Sequence, residues 1–275
     1  MFTIGSDIEF AVIRHGRPVS AETIIEGTKT NPMKVNGFAL SHDNVLAEVA
    51  TPVAKDEDGF VCVVSDALNM LRDMCGSLSC NAAEEFDAQA LSTPTAMEFG
   101  CDPDYDIWDL VENDPPLAVG NSWRSCGAHV HLGHNEFTDE YGIVKLGRWM
   151  DAILGSSITS LFDNDRERIR RRLYGRAGCV RPKPYGIEYR TLSNAWPQTE
   201  PGVRAVYRLA KDSLDAAQSD VRIEWFVDQD ALRAAINNAS SVAASELFEQ
   251  LMAAGLISAA SNEMVKECRS ILSLG

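Results

Sequence analysis

Four short stretches, far apart along the chain, pair an apolar side with chemically active residues on the other. In Gly5-Ser6-Asp7-Ile8-Glu9-Phe10 the alternation puts Phe2, Ile4, Ile8, Phe10 and Val12 on one face of a strand and Asp7 and Glu9 on the other. In Asp43–Pro52, Glu48 lies on a run that is otherwise apolar, opposite Val45, Ala47 and Val49. In Cys126–Gly133, His129 and His131 share a face, and the small Gly127 and Gly133 allow close approach of a ligand. In Gly186–Arg190, Glu188 and Arg190 point one way and Ile187 and Tyr189 the other. A chain that buries the apolar side of all four stretches gathers the polar side into one place.

Each stretch alone is open to a plainer reading. Two carboxylates at i and i+2 repel if buried, unless a cation such as a hard divalent metal sits between them; on an edge strand they simply face water. A lone Glu on an apolar run costs on the order of several kcal/mol unless paired or ligated, but most such residues are solvated. An HxH pair serves zinc or iron hydrolases, or bonds to its neighbours. A basic loop is more often surface than site, yet eight of the 25 basic residues lie between Arg166 and Lys183 in a chain of net charge −15, which points to an anionic ligand. Together the stretches offer Asp7, Glu9, Glu48, His129 and Glu188 as metal ligands and arginines as anion clamps. Oxygen-rich donors with one His suit magnesium or manganese, ions that usually bind together with substrate phosphates. Walker A, GxGxxG and GxSxG patterns are absent.

The acidity, with a pI near 4.7, argues against non-specific binding to nucleic acid or to anionic membranes. Seven scattered Cys without a CxxC pair fit reduced thiols, and MFTIGSDIEF lacks a basic region followed by an apolar core, so the expectation is a cytoplasmic protein with no membrane span. Helical periodicity marks Phe60–Leu78, started by Asp56 to Asp58, and a helix through Val144–Leu154 capped by Thr138. Asn121–Leu132 reads as one strand, residues 88–100 as strand-like, and the chain from Glu200 as mostly helical with breaks near Asp220 and Gly255. Strand-rich segments interrupted by long helices predict an α+β fold with a largely antiparallel sheet, residues 1–200 forming the core and 201–275 a helical segment packed on it.

The ordered series GSDIEF, HDNVLAEVATP, MEFGCDPDYDIW, RSCGAHVHLG and GRAGCVRPKPYGIEYRTLSNAWP, covering roughly residues 3 to 198, resembles the phage-encoded carboxylate-amine ligases of the glutamine synthetase and glutamate-cysteine ligase superfamily. The resemblance implies a glutamine-synthetase-like catalytic domain: a curved antiparallel sheet with helices on its outer face, binding ATP with two or three Mg2+ or Mn2+ ions. It carries metal ligation onto Asp7, Glu9, Glu48, His129 and Glu188, with Asp43 as an addition. Asp7 stands where the larger enzymes usually have Glu. Arg190 is implied to contact phosphate and His131 to lie by the nucleotide phosphates; Arg176, Arg181 and Lys183 resemble residues that hold the transferred phosphoryl group. The loop Asp102–Pro116 is a candidate lid or acceptor-binding segment. The implied reaction joins a carboxylate to an amine through an acyl phosphate. Its substrates would be small molecules or peptides, a cell-wall precursor or a modified nucleobase, in a host cytoplasm if the chain is phage-encoded, and relatives often form homo-oligomers. A guanidino-kinase type of phosphotransferase on the same sheet, an HxH metal-dependent hydrolase and an inactive binding module are the alternatives.

Overall fold

The computed structural model describes residues 2–97, 104–114 and 120–273. Nine strands form the main sheet among these residues: β1 Thr3–Phe10, β2 Met33–Val35, β3 Phe38–Asp43, β4 Leu46–Ala50, β5 Tyr105–Asp106, β6 Val111–Glu112, β7 Ala128–Gly133, β8 Cys179–Lys183 and β9 Gly186–Tyr189. Their spatial order is β6-β5-β8-β9-β7-β1-β4-β3-β2, and every pairing is antiparallel. The four stretches singled out from the sequence are thus the adjacent strands β9, β7, β1 and β4. The hairpin between β2 and β3 turns on Asn36-Gly37, both at positive φ (51° and 88°), as a tight turn matching strand twist requires.

The apolar sides of these strands, including Ile4, Ile8, Val49, Val130, Leu132, Ile187 and Tyr189, are buried in a core that reaches as far as Cys268. Helix α1, Glu57–Cys75, starts at Asp56, whose carboxylate accepts from the Gly59 N–H, and buries Phe60, Val64, Leu68 and Leu71 at helical spacing. Helix α2, Glu140–Trp149, is capped by Asp139 rather than Thr138, because the Asp139 carboxylate takes the Gly142 N–H at 2.8 Å. It runs on through a π-helical turn, Met150–Gly155, and a last turn, Ser156–Thr159. Helix α3 is Asp165–Leu173 and α4 is Glu200–Gln218, which packs against α1 and α2. Helices α5 Gln229–Asn237, α6 Ser241–Ala253 and α7 Ala259–Leu272 complete the layer. The breaks expected near Asp220 and Gly255 are present, with a further one at Asn238–Ser240.

Three further expectations are corrected. Asn121–Leu132 is not one strand: Trp123–Ser125 pairs with Ala83–Glu85 in a separate two-stranded sheet, and the chain crosses to the main sheet at Cys126-Gly127. The described part of the strand-like 88–100 segment is turn and a short helix, Pro94–Met97; residues 98–100 lie outside the described residues. The basic stretch is largely helix α3 rather than loop. Six cysteines are free thiols, and Cys101 lies outside the described residues. Among the described residues, no helix is long and apolar enough to cross a membrane.

Candidate active site

Residues facing each other across antiparallel strands project to the same side. Asp7 lies opposite His129, Glu9 opposite Glu48, Glu48 opposite Ser41, and Glu188 opposite both His131 and Arg181. Alternation adds Arg190, Lys183 and Asp43, so one face of the sheet carries the acids, both imidazoles and three of the four basic candidates.

Glu188, buried in β9, is the hub. Its Oε2 lies 2.9 Å from Lys183 Nζ and 3.1 Å from Arg181 Nη1; its Oε1 contacts Arg190 Nη1 and lies 3.6 Å from His129 Nδ1. Burial would raise its pKa, but the neighbouring cations, Arg190 first, with His131 and Arg181, outweigh burial and hold the carboxyl well below the usual range. One step along the face, Asp7 Oδ2 lies 2.9 Å from His131 Nε2, while His131 Nδ1 lies 2.6 Å from the Tyr185 hydroxyl. Burial opposes protonation of His131, yet the Asp7 carboxylate prevails and raises its pKa. Single donor atoms of Asp7, His131 and Glu188 lie within 4.8 Å of one another, a spacing that suits one metal ion.

At the other end Glu9, Glu48 and Asp43 crowd together. Burial and the Asp43 carboxylate raise the pKa of Glu9, against the Gly127 N–H that it accepts at 2.8 Å. Burial, then Asp7, Asp43 and Glu9, raise that of Glu48 well above normal. Lys29, from the turn-rich segment before β2, pairs with Asp43 at 2.8 Å and partly offsets this charge. His129 is held neutral, its pKa depressed by burial and by Arg190, and its buried Nε2 has no hydrogen-bond partner among the described residues. A neutral imidazole nitrogen left unbonded beside acids that resist ionisation is what a divalent cation would satisfy, and these donor types suit Mg2+ or Mn2+; among the described residues, though, only Asp7, His131 and Glu188 bring three donor atoms within 4.8 Å of one another. A cavity of about 50 Å³ opens among Glu9, Asp43, His129, Tyr174 and Arg190, large enough for an ion with water. Beyond Asp7 and His131 a wider one, about 320 Å³, is lined by Gly5, Thr51, Val53 and Tyr185.

Arg190 is fixed from behind. Its Nε lies 3.2 Å from Asp104 Oδ2 and contacts the Tyr174 hydroxyl, and its guanidinium lies over the Tyr174 ring at 4.9 Å. Asp104 accepts from Tyr174 and, at 3.0 Å, from Asn113. Asp104 and Tyr185 sit in motifs already noted, though with no role assigned to either; Tyr174 carries no signal, since a lone Tyr after a helix is uninformative until the fold places it. Arg176 does not join the cluster: it is exposed and donates to the Arg171 carbonyl at 3.4 Å. Nor are all the other arginines anion clamps. Arg170, fully buried, donates to the carbonyls of Cys126, Tyr174, Arg190, Thr191 and Leu192, and Arg171 to those of Gly175 and Thr191. Of the proposed lid Asp102–Pro116, residues 102, 103, 115 and 116 lie outside the described residues; the rest forms β5, β6 and the turn between them.

No curated protein sequence matches the chain. Among solved structures it is similar to a bifunctional glutathione synthetase from Pasteurella multocida at 11% identity and a TM-score of 0.47, a likeness too slight to argue from; the match covers 99% of this chain and 47% of that one, so the chain spans about half its length. The family described as Phage phiEco32-like COOH.NH2 ligase-type 2 matches residues 121–267, which include His129, His131, Glu188 and the clustered arginines. The matched residues are more than half of the 275, and the chain therefore belongs to this family of COOH.NH2 ligases.

Proposed function

We propose that the chain is an ATP-dependent carboxylate-amine ligase that forms an amide through an acyl phosphate and releases ADP and phosphate. The observation that carries this reading is the single polar face on which Glu188, His131, Asp7, His129, Glu9 and Glu48 meet Arg181, Lys183 and Arg190 on adjacent strands. Family membership supports it. So does the architecture, an antiparallel sheet whose apolar side packs into the helical core, which is what a glutamine-synthetase-like core over residues 1–200 with a helical segment 201–275 would look like.

In this reading Asp7, Glu9, Glu48, His129 and Glu188 hold Mg2+ or Mn2+, with His131 as a further donor in the group that includes Asp7 and Glu188. Bound there, the ions would neutralise phosphate charge. Arg190, immobilised by Asp104 and Tyr174, offers a preorganised guanidinium to the transferring phosphoryl group, and Arg181 and Lys183 supply further positive charge beside it. The substrate carboxylate attacks the γ-phosphorus, ADP leaves, and an amine then displaces phosphate from the acyl carbon. The substrates are small-molecule or peptide acids and amines. The HxH hydrolase is the weaker reading, because the donor atoms that converge within 4.8 Å are those of Asp7, His131 and Glu188, a group that leaves His129 out.

The test is turnover of ATP with magnesium against pools of carboxylates and amines, following phosphate and product mass together. Phosphate release with a product lighter by one water than the two substrates combined establishes the ligase. Formation of AMP and pyrophosphate, or a stable phosphorylated product without an amide, overturns it.

A further inference from the structure

Three cations meet on Glu188, and they differ in how firmly they are held. Arg190 is buried, its side chain 4% exposed, and Asp104 and Tyr174 grip it from the far side. Lys183 is 25% exposed and lies at the open end of the β8–β9 hairpin, opposite Gly186. Its ammonium is a compact charge on a flexible stem, and it takes the same Glu188 oxygen, Oε2, as Arg181. Since Glu188 is one of the three donors in the Asp7–His131–Glu188 group, Lys183 stands on that site. An ammonium and a divalent cation cannot share that carboxylate at close range without strong repulsion.

We propose, resting on the ligase reading, that Lys183 is a built-in occupant of the Asp7–His131–Glu188 site: a divalent cation displaces it from Glu188, and it then pairs with the polyphosphate that arrives with the cation. A metal ion alone must strip Lys183 from a buried carboxylate and leave it unpaired. A metal–polyphosphate complex offers Lys183 a phosphate oxygen in exchange. Binding of metal and binding of polyphosphate are therefore coupled through one side chain, and each strengthens the other by the same factor. This arrangement would keep the acid group from loading with metal before a nucleotide is present.

The test uses the full chain and two probes, Mn2+ alone and the preformed complex of Mn2+ with inorganic tripolyphosphate, each titrated calorimetrically into wild type, Lys183→Met and Lys183→Arg. Removing the ammonium should tighten Mn2+ binding about tenfold and weaken binding of the complex by a similar factor, effects of opposite sign that a merely structural role would not produce. Lys183→Arg, which keeps the charge, should return both affinities toward wild type. Mn2+ affinity unchanged or lower in Lys183→Met overturns the inference alone and leaves the ligase reading standing. Absence of Mn2+ binding in all three proteins overturns it together with the metal assignment.

Discussion

The Tyr189 hydroxyl donates to Asp151 at 2.7 Å, directly beneath the face on which its neighbours Glu188 and Arg190 project. Asp151 lies in the π-helical turn of Met150–Gly155, and it also accepts from Trp108 Nε1 at 2.6 Å and from the Gly178 backbone. One buried carboxylate thus ties β9, the residue before β8 and the turn between β5 and β6 to the helix layer. Such π-bulges are common where a helix serves a site.

Burial raises the Asp151 pKa to about 6, because its donors only partly offset the loss of water. Between roughly pH 4 and pH 6 the folded chain then binds a proton that the unfolded chain has released, so this group's contribution to stability falls as pH rises through that window. The sum is about 3 kcal/mol. Urea denaturation from pH 4.5 to 7 should show that fall in wild type and not in Asp151→Asn; equal pH slopes in the two proteins would refute it.

Glu188→Gln should destabilise the fold by about 3 kcal/mol, because Arg181, Lys183 and Arg190 are left gathered around a neutral amide. Ligase turnover should fall by at least a hundredfold. Chemical denaturation and turnover measured on the same preparation check both, and wild-type stability in the variant would show that the cations do not depend on this carboxylate.

The polar face could be read from the sequence because alternation is a local property: a strand with Ile8 and Phe10 inward must turn Asp7 and Glu9 outward, whichever strands lie beside it. What alternation does not reveal is where a chain changes sheets, and so the break at Cys126-Gly127 was not visible within Asn121–Leu132. Nor does composition distinguish an arginine that binds an anion from one that braces carbonyls. Strand alternation singles out Arg190, but the run of arginines before it gives no such sign, and only the packed structure turns Arg170 onto backbone carbonyls. Asp104 and Tyr174 reach Arg190 across long sequence separations, which no local pattern encodes.

Gly127 is small for a reason that the structure makes specific. A methyl group there would lie 2.4 Å from His129 Nε2 and 3.1 Å from Glu9 Oε2, so Gly127→Ala should push the imidazole away from the acid. Mn2+ affinity should drop at least tenfold, read from the electron paramagnetic resonance signal of free Mn2+, while the circular dichroism of the folded chain stays unchanged. Unaltered affinity would remove His129 and Glu9 from the ligand set.

The most direct test of the account is to locate the metal. Crystals grown with Mn2+ and a non-hydrolysable ATP analogue, with anomalous differences recorded near the manganese edge, should show peaks on the polar face, between Asp7, His131 and Glu188 and beside Glu9, Glu48 and His129, with the phosphates turned toward Arg190. Anomalous density away from this face, or the analogue seated on another surface, would contradict it.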